Sequence, residues 1–279
     1  MNGVILINKE KGKTSRDMVN ELNHIFGIKK IGHTGTLDPI ATGILVMCIG
    51  KYTKLTELLS SFKKTYIAEI KIGIKTDTLD ITGNVEKKEN CNFNEKDVIK
   101  VISSLKGKII QEIPMYSAKK VKGKKLYEYA REKTYIKPIT NEIEVFDISL
   151  ISIKKDIITF QCTVSKGTYI RSLIQIICDK LSVIGCMNNL IRTAQDKFLI
   201  ENTFTIDEIK KGKYKLLKID DLFDFKVYNL TTEEYHFVKN GNKMNLPFDD
   251  KYLILKYDNQ EIALYVKYNK LYKPYAMLL

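Results

Sequence analysis

The feature that most constrains this chain is a glycine-rich segment, Gly32 to Gly43, which carries a single carboxylate at Asp38. Three glycines in twelve residues give the backbone conformational freedom and let another backbone or a polymer approach closely. Pro39 disfavours helical geometry at Asp38, and the apolar run from Ile44 to Ile49 anchors the segment to a core. The pattern predicts one acid on a rigid support, and we call residues 32–43 the platform loop.

The same residues support a second interpretation, in which Asp38 caps a helix and Pro39 occupies its first turn. The apolar run that follows would then belong to that helix. Helix caps are far more common than catalytic acids, so spacing alone favours the cap.

Length and composition predict one large domain with a small one, or two of similar size, because 279 residues that are 44% hydrophobic can bury a sizeable core. The apolar runs are far shorter than the ~20 residues that span a bilayer, and no signal peptide is visible. The five cysteines show no paired spacing, which favours reduced thiols and a cytoplasmic location. The three histidines form no metal-ligand pattern, so no metal site is expected.

The charge balance indicates a polyanionic partner. Lys and Arg total 46 against 33 Asp and Glu, a net charge of +13, which suits nucleic acid or an acidic membrane surface. No strongly basic amphipathic helix is visible, so nucleic acid is favoured and a membrane is not expected. Only four residues are arginine. Each is a candidate for a contact that needs the planar guanidinium group, which can donate two parallel hydrogen bonds.

Hydrophobic periodicity predicts an α+β fold, with a mixed, mostly antiparallel sheet flanked by helices in residues 1–224. Strands are predicted at 4–7, 66–74 and 142–164, and helices at 15–26, 55–62, 94–107 and 170–181. Residues 108–140, rich in Lys and Tyr, resist packing in this scheme, and we call them the basic arm. The short strands after about residue 224 predict a separate small, β-barrel-like domain at 225–279.

Arg171 falls in or near the first turn of the predicted helix after Gly167, where the helix dipole disfavours a cation. Asp38 is a suitable compensating anion, and such a pair would keep the acid ionised in a dry pocket. The alternative is an ordinary structural or surface arginine.

Tyr66 lies on the inward face of its predicted strand, directly after Lys63-Lys64-Thr65. A tyrosine in a pocket wall offers a π-face on which a nucleobase can stack. The alternative, a core tyrosine without such a role, is the commoner case on sequence alone.

The basic run, residues 119–125, packs five lysines into seven residues and is surrounded by tyrosines. Basic charge interleaved with aromatic rings fits an arm that grips an RNA backbone. A run of charge is more often only a solvated face, but the net charge and the tyrosines favour binding. The lysines are Lys119, Lys120, Lys122, Lys124 and Lys125.

Several separate motifs, in order along residues 3–224, resemble the bacterial standalone tRNA pseudouridine synthases, the TruB family. They are the platform loop, Lys64-Thr65-Tyr66, Thr76 to Asp80, Pro114 to Ala118, Gly123 to Tyr127, and Lys166 to Arg171. Residues 225–279 resemble, more weakly, a PUA RNA-binding domain, with Phe237 to Gly241 as the best fragment.

The resemblance implies isomerisation of one uridine in the T-arm of tRNA, at tRNA position 55, to pseudouridine after base flipping, without metal or cofactor. It makes Asp38 the catalytic carboxylate, cleaving and rejoining base and ribose. Tyr66 would stack on the target base and assist proton handling, Arg171 would pair with Asp38, and Leu190 would close the pocket. The remaining implied roles are space-filling behind the flipped nucleotide for His33, pocket support for Asp80 and Tyr169, and loop support for Lys9.

Two positions depart from the family pattern. Glu10 replaces the proline usual after the lysine, and Ile191 stands where a second arginine often precedes Arg192, so one phosphate contact is expected to be missing. Competing hypotheses are a noncatalytic tRNA-binding protein or chaperone on the same scaffold, and a guide-RNA-dependent relative. A monomer is expected by default.

Overall fold

The computed structural model describes all 279 residues, and its elements alternate between strands and helices along most of the chain. The strands are β1 Gly3–Lys9, β2 Ile31–His33, β3 Thr42–Ile49, β4 Lys64–Ile72, β5 Ile74–Thr76, β6 Val85–Lys88, β7 Gly107–Glu112, β8 Lys120–Val121, β9 Lys124–Lys125, β10 Thr140–Lys154, β11 Ile157–Val164, β12 Gly185–Gln195, β13 Phe198–Leu199, β14 Lys226–Asn229, β15 Tyr252–Tyr257, β16 Gln260–Tyr268 and β17 Leu271–Met277. The α-helices are α1 Ser15–Phe26, α2 Thr56–Ser60, α3 Glu95–Ser103, α4 Leu126–Arg131, α5 Ile170–Leu181, α6 Ile206–Lys210, α7 Ile219–Leu222 and α8 Thr232–Val238, with 3-10 helices at Gly50–Leu55 and Ile200–Asn202. None of these helices combines the length and the apolar character needed to cross a lipid bilayer.

A central sheet with the strand order β1-β3-β12-β4-β11-β10-β7 organises the first part of the chain. Two short strands join it, because β2 pairs with β3 and β13 pairs with β12. Every pairing in it is antiparallel except that of β3 with β12. Helices α3 and α5 cover one face, and their apolar sides pack with the inward residues of β4 and β11 in the largest core. The predicted α+β class is confirmed.

Local sequence signals account for the elements that were predicted well. Helix α1 begins after Thr14, whose side chain accepts from the backbone N–H of Asp17 in a capping box, and ends at Gly27 in the left-handed conformation. Strand β4 alternates buried and half-buried residues from end to end, as its sequence indicates. Helix α3 ends at Ser103 rather than at Gly107, because Gly107 opens strand β7.

The helix-cap interpretation of Asp38 is wrong. Residues Asp38 to Ala41 form a tight turn in which the N–H of Ala41 donates to the Asp38 carbonyl at 3.0 Å, and the apolar run becomes strand β3. A continuous apolar run is what a strand buried on both faces requires, and alternate residues of β3 pack into two different apolar cores. At Gly43 a Cβ atom would stand 2.3 Å from the Arg192 carbonyl oxygen, so this close approach of two strands needs glycine.

The basic arm is more ordered than its composition indicates. It holds strand β7, the β8–β9 hairpin and helix α4, and its apolar residues Ile113 and Leu126 are buried. The polar side chains that surround these two residues conceal this short-range order in the sequence.

The C-terminal strands form a second sheet, in the order β14-β15-β16-β17, that stays open because β14 and β17 do not pair. The two-residue turn Asp258-Asn259 has positive φ at both positions, as a tight hairpin requires. This sheet shares an apolar core with β1, β3 and the 3-10 helix at Gly50–Leu55. The Tyr52 hydroxyl also donates to the Glu261 carboxylate, and both accept from the N–H of Ile219.

Candidate active site

The centre of the site is a bidentate ion pair between Asp38 and Arg171. Arg171 Nε donates to Asp38 Oδ2 and Nη2 donates to Oδ1, both at 2.9 Å. The arginine is 4% exposed, whereas the Asp38 side chain keeps 29% of its surface accessible. The carboxylate is therefore fixed in one orientation while it remains open to a ligand.

The rest of the Arg171 guanidinium binds backbone carbonyls from two distant segments. Nη1 donates to the Thr78 carbonyl and Nη2 to the Tyr116 carbonyl, each at 3.0 Å. Arg171 is the second residue of α5, where the helix dipole opposes a cation, and the carboxylate with these two carbonyls compensates. Because Tyr116 belongs to the basic arm, the arm and the ion pair are in direct contact.

Two buried polar side chains, Lys9 and Ser15, hold the platform loop in place. Lys9, which is fully buried, donates from Nζ to the carbonyl oxygens of Lys13, Glu10 and Pro39 at 2.6, 2.8 and 3.3 Å. Burial lowers the pKa of Lys9 to about 8. Ser15 adds a second support, because its Oγ accepts from the N–H of Leu37 at 2.9 Å.

Tyr66 and Leu190 lie in the same apolar core as part of the platform loop. Tyr66 is 6% exposed and Leu190 is 4% exposed, and both belong to the core that contains Leu37 and Ile40 of the platform loop. Burial raises the pKa of Tyr66, an effect that nearby Arg192 partly offsets. The structure thus places Tyr66 and Leu190 in the core that also contains residues of the loop that carries Asp38.

Asp80, Tyr169 and His33 are the other residues that were predicted for the site. Asp80 is 7% exposed, and its Oδ1 accepts from the N–H of Thr82 at 3.0 Å and from the hydroxyls of Thr78 and Thr82. Tyr169 is the residue directly before α5, and burial raises its pKa. His33 ends β2 with a buried Nδ1 that has no hydrogen-bond partner, and burial lowers its pKa, which favours the neutral ring.

Sequence reasoning missed Gln111, which secures the turn before α5. Its side chain is almost fully buried; Nε2 donates to the Gly167 carbonyl at 2.8 Å and Oε1 accepts from the N–H of Tyr169 at 3.1 Å. Helix α5 has no capping side chain of its own, so a residue of β7 provides the missing contacts. A single glutamine in a short strand gives no local signal of this role.

The lysines of the basic run divide into two groups. Lys119, Lys120 and Lys122 are exposed. Lys124 pairs with Glu132 and lies 4.9 Å from the Tyr129 ring centroid, and Lys125 lies 5.3 Å from that of Tyr127. The first group carries free positive charge at the surface, whereas the second partly serves the local structure of the arm.

The two departures from the family pattern lie in different surroundings. Glu10 is exposed, and its carbonyl accepts from Lys9. Ile191 is half-buried in β12 beside a fully buried Arg192. No group of three or more His, Cys, Asp or Glu side chains is arranged to hold a metal ion.

Comparison with known sequences defines the family. The pattern of the TruB family pseudouridylate synthase (N terminal domain) matches residues 23–170. Over 271 residues the chain is 42% identical to tRNA pseudouridine synthase B of Caldanaerobacter subterraneus subsp. tengcongensis, covering 95% of this chain and 94% of that protein. Over 217 residues it is 46% identical to the enzyme of the same name from Bacillus subtilis, covering 75% of this chain and 70% of that protein.

Solved structures with the same fold include a Cbf5-Nop10-Gar1 complex, with a TM-score of 0.70 and 22% identity over 95% of this chain and 78% of that one. An H/ACA RNP bound to a substrate RNA containing 2'-deoxyuridine gives a TM-score of 0.69 at 21% identity, over 95% and 77% of the two chains. At this identity the likeness shows a shared fold. On the sequence matches, the chain belongs to the TruB family of pseudouridine-forming isomerases.

One prediction concerns Lys64, which is 6% exposed at the start of β4 and donates to the carbonyls of Ser60 and Phe62. Burial, with Arg192 and Lys166 nearby, lowers the pKa of Lys64 to about 7. The unfolded chain keeps this lysine protonated up to about 10.5, so it binds more protons than the folded chain between the two values. The free energy of unfolding should therefore gain a rising contribution between pH 7 and 10.

We expect Lys64→Met to remove this contribution, as measured by urea unfolding across that pH range. The matched control is Lys63→Met, because Lys63 is the exposed neighbour and should keep the native pH dependence. Parallel pH curves for the native chain and Lys64→Met would contradict the assignment.

Proposed function

We propose that this protein isomerises a uridine in the T-arm of tRNA to pseudouridine, with Asp38 as the catalytic carboxylate. The observation that carries the proposal is the bidentate Asp38–Arg171 pair, with Asp38 in a glycine-rich loop that shares an apolar core with Tyr66. Relatives that match almost the full chain are named tRNA pseudouridine synthase B, which supports tRNA as the substrate class.

The reaction breaks the bond between C1′ of the ribose and N1 of the uracil, and forms a bond between C1′ and C5. The C5 proton is released and N1 gains a proton, so atoms and electrons balance without a co-reactant. Whether Asp38 acts on the base or on the sugar, it must be an ionised carboxylate. Arg171 orients the carboxylate through two hydrogen bonds, and the open side of Asp38 receives the nucleoside.

The other site residues would bind the flipped nucleotide. Tyr66 would stack on the uracil and Leu190 would close the pocket behind it; both belong to the core that contains Leu37 and Ile40 of the platform loop. His33 would fill the space that the nucleotide leaves, and its neutral ring suits contact with stacked bases. Asp80 and Tyr169 would support the pocket, and Lys9 would hold the loop through the Pro39 carbonyl.

The target base must leave its stack before Asp38 can reach it, at a cost of roughly a few kcal/mol. Binding of the RNA backbone by cations can supply this energy. The three exposed lysines of the basic run are suited to that contact, and the arm that carries them touches Arg171 through Tyr116.

We propose further that residues 1–224 form the catalytic domain and that 225–279 form a PUA-like RNA-binding domain in a monomeric, cytoplasmic protein.

The first test replaces the carboxylate with its amide. Asp38→Asn should bring tritium release from uridine labelled at C5, in a T-arm stem-loop, below detection, because the amide cannot act as an anionic base or nucleophile. The dissociation constant for the RNA should stay within about twofold of the native value. Native rates of release, or a loss of RNA binding instead, would contradict the catalytic assignment and favour a noncatalytic tRNA-binding protein.

A second test addresses the basic run. Replacing Lys119, Lys120 and Lys122 together with glutamine should weaken tRNA binding and reduce the slope of log K against log salt by up to about 3, roughly one for each lost phosphate contact. The matched control replaces three exposed lysines elsewhere, Lys96, Lys100 and Lys154, and should leave the slope nearly unchanged. Equal slopes for the two triple variants would count against the arm as an RNA clamp.

A further inference from the structure

Arg192 is a buried cation that has no acidic partner. Its side chain is fully buried in β12, the strand that lies between β3 and β4. None of the ion pairs in the structure includes it, although burying an unpaired charge is costly. A guanidinium retained in this position therefore needs another partner.

Backbone carbonyls satisfy part of this group. Nε donates to the Ile44 carbonyl at 2.7 Å and Nη2 donates to the Gly35 carbonyl at 3.2 Å, so Arg192 ties the platform loop to β12. Nη1 is buried and has no hydrogen-bond partner. One strong donor is thus unused in a part of the molecule where unsatisfied donors are rare.

Tyr66 is the residue that faces this donor group. Arg192 and Tyr66 are directly paired across the β12–β4 register, so their side chains project from the same face of the sheet. Tyr66 is also almost fully buried. Its other ionisable neighbours are the Cys162 thiol and the Asp38 carboxylate. Neither carries a positive charge that could stabilise a phenolate.

We propose that Arg192 is the positioning residue for Tyr66, with Nη1 as a donor reserved for the phenol oxygen when that oxygen carries negative charge. The hydroxyl can then give its proton to the flipped base and recover it, while the guanidinium stabilises the intermediate phenolate. This catalytic consequence rests on the proposed function, whereas the electrostatic coupling between the two side chains does not. Arg192 itself, fully buried, touches no substrate.

The first measurement requires no RNA. With 3-fluorotyrosine incorporated at position 66, the ¹⁹F resonance reports ionisation of that one phenol. Arg192→Gln should move its titration midpoint upward by at least about one pH unit, a tenfold change in the ionisation constant. Arg16→Gln, which removes an exposed arginine of α1, is the control and should leave the midpoint unchanged. An unchanged midpoint in Arg192→Gln would overturn the proposal.

Other titrating groups near Arg192 are Lys9, Lys64 and His33. They are present in every variant, and the ¹⁹F signal separates the phenol from them. If Arg192→Gln does not fold, as judged by urea unfolding, Arg192→Lys provides the same test. It keeps a charge but not the fork, and we expect a smaller upward shift; a native midpoint in this variant would equally overturn the proposal.

The second measurement is a double-mutant cycle on the single-turnover rate of pseudouridine formation. We expect Arg192→Gln to lower the single-turnover rate at least about tenfold in the native protein. In a protein that already carries Tyr66→Phe, the same substitution should lower the rate little further, because Arg192 acts through the Tyr66 hydroxyl. Losses that multiply would show that Arg192 serves only the loop, against the proposal. A shifted midpoint in a protein that forms no pseudouridine would refute the proposed function and leave the coupling intact.

Discussion

The site depends on the pairing of one carboxylate with one guanidinium across 133 residues of sequence. Arg171 stands where the helix dipole disfavours it, and Asp38 sits in a turn that has no helix to cap. The carboxylate of Asp38 compensates the unfavourable position of the Arg171 cation, and Arg171 fixes the orientation of that carboxylate. Because the same guanidinium also binds the carbonyls of Thr78 and Tyr116, the pair joins the platform loop, α5, the segment before Asp80 and the basic arm.

The surroundings of this pair are electropositive below the surface as well as on it. Lys9, Lys64 and Arg192 are buried next to the platform loop, and carbonyl oxygens rather than carboxylates accept their hydrogen bonds. Carbonyl acceptors leave the positive charge in the core uncompensated. The pKa values of both lysines are lowered mainly by burial, with nearby Arg192 as a smaller cause. Such a core favours anions at its rim, and both an ionised Asp38 and an RNA backbone are anions.

Local signals in the sequence predicted much of the fold and the central pair. The apolar periodicity of α1, the alternation in β4 and the dipole argument for Arg171 each act over a few residues. The strand after Asp38 was not predictable by spacing, since a six-residue apolar run fits helix or strand equally well and only its pairing with β1 and β12 decides. Gln111 was missed, and the particular contacts of Arg192 were not predicted, for a related reason: their partners lie 58 and 148 residues away.

The most direct test of the central claim is the single-turnover rate of Arg171→Lys. Lysine keeps the positive charge but offers no planar fork, so it cannot hold both oxygens of Asp38 and the two carbonyls together. If the fork sets the geometry of the carboxylate, pseudouridine formation should fall by at least about 100-fold while the dissociation constant for tRNA stays within about twofold. A near-native rate would show that charge alone suffices, and would contradict the account.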